Sequence, residues 1–190
     1  IEELFIFPPR FFVVNPTMDN FVNLFLSTNN MWVPFERYIA NSIYMTLAGS
    51  VGAVILSSMA AFPLAKFVFP GSKIYFKLIT LSLLFVYEVT YIPQYILLSR
   101  INLIDTTLSI VVPAFAWTLG LFLMKQFMEI IPDATIDSAK IDGANSFGIY
   151  YRIVMPMAKP AWLTLVIFSF QNFWNREGQM FLYNEELKVF

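Results

Sequence analysis

The 190-residue chain is 58% hydrophobic and only 13% charged, with a mean hydropathy of +0.65 and a net charge of −1. Soluble domains average about 45–50% apolar and about 25% charged residues, so the composition points to lipid, and the near-neutral charge excludes an electrostatic nucleic-acid binder. The chain has no Cys and no His, which removes thiolate nucleophiles, disulfides, the commonest zinc ligands and the usual general base, so neither metal nor triad chemistry is expected.

The first residue is Ile1, and the last, Phe190, falls in mid-pattern after a polar loop, so both ends are expected to be cut. Residues 1–37 mix apolar clusters with Pro8, Pro9, Pro16 and Pro34, too broken to span a bilayer. They are expected to form an extracytoplasmic segment ahead of a transmembrane domain over 38–190. Residues 38–64 carry no charge; at ~1.5 Å per residue this run exceeds the ~30 Å hydrocarbon core and predicts the first span. Its small residues, Gly49, Gly52, Ala53, Ser57, Ser58, Ala60 and Ala61, let neighbouring backbones approach and predict an interior helix.

Lys66, Pro70, Gly71 and Lys73 then make a short basic turn. Residues 74–99 read as a second span kinked at Pro93, with Lys77 snorkelling from its first turns. After a polar connection over 100–107, residues 108–124 form a third, shorter apolar run with Pro113 near its start. Residues 125–159 are the long polar segment, 160–174 a short and broken fourth span, and 175–190 a loop. Alternating loops place Lys66, Lys73, Lys77, Lys125, Lys140, Arg152 and Lys159 on one side and Arg10, Arg37, Arg100, Arg176 and Lys188 on the other, seven cations against five. The excess marks the cytoplasm, where residues 125–159 are therefore expected.

Within that segment Asp133 follows Pro132 and predicts the cap of a helix running to about Ile141, with acid at its start as the dipole prefers. Gly143 is suited to a positive φ that turns the chain, with Asp142 bonding nearby amides. Asn145 or Ser146 caps a second helix that ends before Pro156. The result is a helix-turn-helix elbow whose inner face offers Ala134, Ser138, Ala139 and Ala144 to a close-packing partner.

The pattern Asp137-Ser138-Ala139, three residues, Gly143, nine residues, Ile153, one residue, Met155-Pro156 resembles the EAA loop of binding-protein-dependent ABC importer permeases. Ala139, Gly143, Ile153 and Pro156 match that loop outright. Asp137, Ser138 and Met155 stand where it has Glu, Ala and Leu. Asn41-Ser42, the run from Ala60 to Phe67, Phe69-Pro70-Gly71, Ile92-Pro93-Gln94-Tyr95, Ile131-Pro132 and Trp174-Asn175 are similar to recurring words of the carbohydrate, maltose-type branch, over residues 36–176. Where that branch usually shows Pro-Gly-Gln, this chain has Val86-Tyr87-Glu88.

The resemblance implies an all-α, polytopic transmembrane helix bundle with a cytoplasmic coupling loop, the type I ABC importer permease fold, with the usual first and last of six spans missing. It implies a multi-pass protein of a bacterial or archaeal inner membrane that is not itself an enzyme. Its partners would be ABC ATPase subunits, a second homologous permease and an extracytoplasmic solute-binding protein, with ATP and Mg on the ATPase and no cofactor on this chain. Asp137, Ser138, Ala139, Asp142, Gly143, Ala144, Ile153 and Pro156 would form the ATPase-coupling loop, converting closure of the ATPase pair into alternating access.

Four residues are candidates for the translocation path. A carboxylate at the bilayer centre costs about 2.5–3.5 kcal/mol on insertion scales, so Glu88 is either a path residue or a hydrogen-bonded strut. Tyr91, with Tyr87 and Tyr95, either stacks on sugar rings or packs in the bundle. Asn172 and Trp174, with Gln171 and Asn175, either line the path or satisfy a broken helix end. A permease for polyamines, peptides or anions would share the docking loop, but the sugar-type words argue against it. A membrane enzyme would need a polar cluster that Glu88 alone does not supply, and a scaffold would need no elbow.

Overall fold

The computed structural model describes residues 18–28, 33–85, 87–175, 181–184 and 188, with no strand among them. The chain divides into two compact units, Ile1–Arg37 and Tyr38–Phe190. In the first, α1 (Asp19–Thr28) is a ten-residue helix, at ~15 Å about half the hydrocarbon thickness. Residues 1–17 and 29–32 of the expected extracytoplasmic segment lie outside the described residues. There follow α2 (Phe35–Lys66), α3 (Ser72–Ser82), α4 (Tyr87–Arg100), α5 (Leu108–Phe115), α6 (Thr118–Ile130) and α7 (Asp133–Ile141). The last two are α8 (Ser146–Met157) and α9 (Lys159–Trp174).

Two stretches among the described residues are long and apolar enough to cross a membrane, Phe35–Lys66 and Leu108–Ile130; α8 and α9, bent by 79°, add a third if they form one span. In α2 the buried residues run Ser42, Met45, Thr46, Gly49, Ser50, Ala53, Val54, Ser57, Ser58, Ala61, Phe62. That three-and-four spacing is one helical face. Ile43, Leu47, Val51 and Ile55 on the other face are exposed. The small residues work as the sequence predicts. A Cβ added at Gly49 would meet Ala114 Cβ at 3.2 Å, and one at Gly52 would fall 2.0 Å from Phe115 Cε1, so α5 packs directly on the α2 backbone.

Two expectations about the spans are corrected. Residues 74–99 are not one helix kinked at Pro93; the chain breaks between α3 and α4, and Pro93 is carried inside α4. The hydroxyls of Thr80 and Ser82 donate to the carbonyls of Phe76 and Ile79, and the amides of Leu83, Leu84 and Phe85 fall back on acceptors three residues earlier. That tightening ends α3 before any proline is reached.

The third span, in turn, does not stop at Met124. It is interrupted at Ala116 and Trp117, which is extended (ψ 100), and then continues to Ile130. Lys125, taken from sequence as the first loop residue, is buried within it. Its ammonium lies 4.2 Å from the Phe76 ring centroid and bonds Glu129 at 2.6 Å. A cation so paired and covered can remain in a helix that its charge alone would end.

Gly52→Val should lower the unfolding free energy by roughly 1–3 kcal/mol, because the Phe115 ring occupies the space a side chain needs. Denaturant unfolding in detergent checks this in a cycle with Phe115→Ala. The double variant should lose clearly less than the sum of the two single losses. Strict additivity would mean that the ring does not crowd Gly52.

Candidate functional site

The elbow is built mostly from backbone chemistry. α7 begins one residue after Pro132 and ends in a Schellman turn: the Gly143 amide donates to the Lys140 carbonyl (3.0 Å) and the Ala144 amide to the Ala139 carbonyl (2.9 Å). The turn requires a left-handed residue, and Gly143 supplies it at φ +82°. Asp142 contributes its amide, to the Ser138 carbonyl. Its carboxylate has no hydrogen bond among the described residues, so the expected side-chain bond is replaced by backbone. Of the two candidate caps for the next helix, Asn145 takes the role: the Gly148 amide donates to its Oδ1 at 2.7 Å. Asp133 is not a cap, because Pro132 occupies that position and Asp133 is the first helical residue.

α8 does not end before Pro156. A π turn over Tyr150–Val154 precedes the proline and the helix runs on to Met157. Widening the coil there relieves the clash between a proline ring and the carbonyl one turn back, and a missing N–H costs less where the ladder is already shifted. At Ala158 (ψ 14) the chain swings through 79° into α9, with Pro160 in its first turn.

One set of elbow residues faces inward. Ile136 and Ala139 from α7, and Ile149, Tyr150 and Val154 from α8, are buried with Ala61 and Phe62 of α2, Met124 and Met128 of α6, and Leu165 of α9. Tyr150 OH lies 2.7 Å from Ser58 Oγ. Trp162 Nε1 donates to the Met155 carbonyl at 3.2 Å, tying α9 to α8. Ala139, expected on the elbow's inner face as a contact for a close-packing partner, is instead in this chain's own core, because it follows Ile136 by three residues and shares its side of the helix. Ile153 and Met155 pack half-buried against the same core.

The other set faces out. Asp137, Ser138, Asp142, Gly143, Ala144 and Pro156 are exposed, as is Ala134. So are three large apolar side chains that the motif does not include, Ile141, Phe147 and Tyr151. Between the turn and α8 a groove of about 460 Å³ runs from Gly143 and Ala144 past Phe147 to Tyr151 and Arg152. The apolar identity of positions 141, 147 and 151 was the available sequence signal, since such residues in a polar segment have no bilayer to face.

Charges organise the elbow's edges. Asp137 pairs with Lys140 one turn on (2.9 Å), both exposed, a contact of small energetic weight. Asp133 pairs with Lys66 at the end of α2 (2.8 Å). The hydrogen bond from Lys66, and then its charge, hold the Asp133 carboxyl below the usual aspartate value. Among the described residues no group of three or more Asp or Glu side chains is placed to hold a metal ion.

Only part of the translocation-path set falls among the described residues. The Glu88 and Tyr87 side chains lie outside the described residues. Tyr91 stacks on Phe181 with ring centroids 4.7 Å apart, and Tyr95 shares a hydrogen bond with Tyr183 (2.9 Å) that raises the Tyr183 phenol. Trp174 stacks on Phe170 of its own helix. Asn175 Nδ2 donates to the Gln171 carbonyl (2.8 Å), the satisfied-helix-end alternative for that residue, while Asn172 is exposed. A cavity of about 270 Å³ lies elsewhere, at the α5–α6 break, lined by Ser57, Ser82, Phe115, Trp117 and Thr118 among others.

Residues 10–178 match the family described as binding-protein-dependent transport system inner membrane component. The arabinooligosaccharides transport system permease protein AraQ of Halalkalibacterium halodurans is 28% identical over 159 residues, 84% of this chain and 56% of that protein. The sn-glycerol-3-phosphate transport system permease protein UgpE of Yersinia pestis is 31% identical over 147 residues, 77% of this chain and 52% of that protein. Among solved structures, a chain from the crystal structure of a bacterial ABC transporter involved in the import of the acidic polysaccharide alginate matches with a TM-score of 0.74 at 27% identity. That match covers 80% of this chain and 55% of the other. The chain thus spans a little over half the length of the curated relatives it matches.

The Asp133 pairing has a defined acid limit. A carboxyl whose folded-state pKa is depressed contributes its stabilisation in full above the ordinary aspartate value and loses it as pH falls through the lowered one. Amide protection in α7 should therefore hold from neutral pH down to about 5 and decline only below about pH 4. Hydrogen exchange across that range, with Asp133→Asn as the variant lacking this titration, reads the effect. Loss of protection near pH 6 would assign the weakness to another group.

Proposed function

The chain belongs to the family of binding-protein-dependent transport system inner membrane components, and from that membership we propose that it forms half of the permease of an ATP-driven carbohydrate importer. It pairs with a second, homologous permease in a bacterial or archaeal cytoplasmic membrane, crosses it several times, and receives solute from an extracytoplasmic binding protein. ATP and Mg are held and hydrolysed on partner ATPase subunits, against which this chain's elbow docks on the cytoplasmic side.

The observation that carries the reading is the elbow's two-sidedness. Inward, it is fixed to α2, α6 and α9 by one core. Outward, it presents small side chains at Ala134, Ser138 and Ala144 beside exposed Ile141, Phe147 and Tyr151. Such a surface fits insertion into a protein groove, because the small residues permit close approach and the apolar ones supply area to bury. The motif residues Asp137, Ser138, Asp142, Gly143, Ala144 and Pro156 lie on that outward side. Ala139 and Ile153 hold it from beneath. Movement of the ATPases is then delivered to the spans as a rigid-body displacement, the usual route from interface closure to alternating access.

Carbohydrate as cargo is supported by the arabinooligosaccharide and alginate systems named above, and the glycerol phosphate relative keeps the cargo polyhydroxylated. Glu88, Tyr91, Asn172 and Trp174 remain the proposed contacts along the path.

Copurification from membranes should recover an ATPase with this chain, and recovering none would defeat the docking assignment. Within the elbow, Gly143→Val forces a β-branched side chain into a left-handed conformation, a strain of about 1–2 kcal/mol. A Cβ there meets nothing within 4 Å, so the chain should still insert and fold. Uptake in proteoliposomes should fall while ATP hydrolysis continues; unchanged uptake would remove Gly143 from the coupling surface.

A further inference from the structure

We propose that Lys66 is the positioning residue that makes the elbow and the first membrane helix move as one body. The inference rests on the coupling function proposed above, and adds to it the side chain through which the displacement reaches α2. Lys66 is the last residue of α2. Although the residue as a whole is half-buried, its side chain is only 2% exposed, while that of its partner Asp133 is 79% exposed. A lysine at a helix end near a membrane surface ordinarily extends to water. This one turns in.

Its ammonium has three donors and meets three acceptors. They are the Ile131 carbonyl, the Asp133 carboxylate at 2.8 Å and, more loosely, the Glu129 carbonyl at 3.4 Å. The two carbonyls belong to the C-terminal end of α6, where the helix dipole is negative and the last carbonyls lack intrahelical partners. The carboxylate is the first residue of α7. One cation from α2 therefore holds the junction between the third span and the elbow. The nearby Glu129 carboxylate does not compete for it, being bonded to Lys125 at 2.6 Å.

The last two turns of α2 repeat the same orientation. Ser58, Phe62 and Lys66 follow one another by four residues and share a face. Ser58 meets the Tyr150 hydroxyl, Phe62 lies 5.7 Å from the Tyr150 ring, and Lys66 takes Asp133. The first two act on α8 and the third on the start of α7, so the elbow is gripped at both of its helices. Apolar packing tolerates sliding; the Ser58 hydroxyl bond fixes direction at α8, and the charge-assisted Lys66 bond fixes it at the start of α7. Lys66 thus determines whether displacement of α7 turns α2 or slips past it.

The test compares Lys66→Met, which keeps the stem and removes the donors, with Lys66→Arg, which keeps charge and donors. In the assembled importer reconstituted in proteoliposomes, Lys66→Met should retain ATP hydrolysis while uptake per ATP falls about ten-fold or more. Lys66→Arg should restore uptake to within about three-fold of the parent. Hydrolysis and uptake falling together with the amount of assembled complex would overturn the proposal.

A second measurement needs no ATPase. In the full chain in detergent, Lys66→Met should accelerate amide exchange over residues 132–145 by about ten-fold or more and leave α9 unchanged. Unaltered exchange in 132–145 overturns the proposal whatever the ATPase does. Accelerated exchange in a chain that captures no ATPase would support the clamp while refuting the coupling function on which its purpose depends.

Discussion

Tyr150 brings its hydroxyl to Ser58 in a site that both side chains help to bury, and the attitude of α8, the elbow's second helix, depends on that contact. The Ser58 hydroxyl already donates to the Ile55 carbonyl at 2.9 Å. Having one proton, it must accept from Tyr150, so the phenol is the donor. In a low-dielectric interior such a bond is stronger than at a surface, and either group left alone would be costly. The contact is therefore directional as well as apolar. Phe62 and Phe147 flank the Tyr150 ring at 5.7 and 6.1 Å, leaving it little freedom to reorient. A loop that must present one face to a partner while resisting being pushed needs this kind of anchor beneath it.

The same accounting explains where the chain departs from helix inside its apolar stretches. Backbone groups at membrane depth are tolerated out of a helix only where protein covers them or a cavity admits water. At Ala116 and Trp117 the interruption lines the cavity between α2, α3 and α6, the Ser57 hydroxyl lies 3.5 Å from the Trp117 carbonyl, and the Ala116 amide falls back on Pro113. A Cβ added at Gly120 would come within 2.8 Å of Ser57 Oγ and of Trp117 Cε3, so a side chain there would displace the hydroxyl or the ring that lines the break. The break is held by the helix that packs on it. Outside the spans, the Asp105 carboxylate accepts from the amides of Tyr183 and Asn184 and its own amide donates to the Phe181 carbonyl. That pins the chain after α9 against the connection between α4 and α5.

Features decided by neighbouring residues were legible in the sequence. The end of α7 at Ile141, the positive φ at Gly143, a cap at Asn145 or Ser146 and the small-residue face of α2 each follow from local backbone chemistry or one periodicity. Features decided across the bundle were not. Lys125 looks like the end of a span because its charge is visible in the sequence, whereas the Phe76 ring that covers it lies about fifty residues away and on another helix. Asp133 has the composition of a cap, yet Lys66 claims its carboxylate from a distant helix. The end of α3 carries no proline or glycine to announce it. Small size at Ala139 suits a close-packing partner, and it suits a crowded core equally well.

The spacing of the motif can be understood as a register set by two faces of one small structure. Ala139 must face the core in the last turn of α7, which fixes the left-handed residue four positions later, where the Schellman turn closes on the Ala139 carbonyl itself. The polar turn and the Asn145 cap then set where α8 begins, and the core claims Ile149, Tyr150 and Val154. Ahead of Pro156 a π turn over Tyr150–Val154 widens the coil. Ile153 packs half-buried against the core, and Pro156 falls where the helix is about to swing into α9. Inserting or deleting a residue between Gly143 and Pro156 would rotate every later side chain by about 100°. Residues now facing the core would turn more than a quarter circle away from it, so the fixed intervals of the loop are a consequence of its having to be anchored and exposed at once.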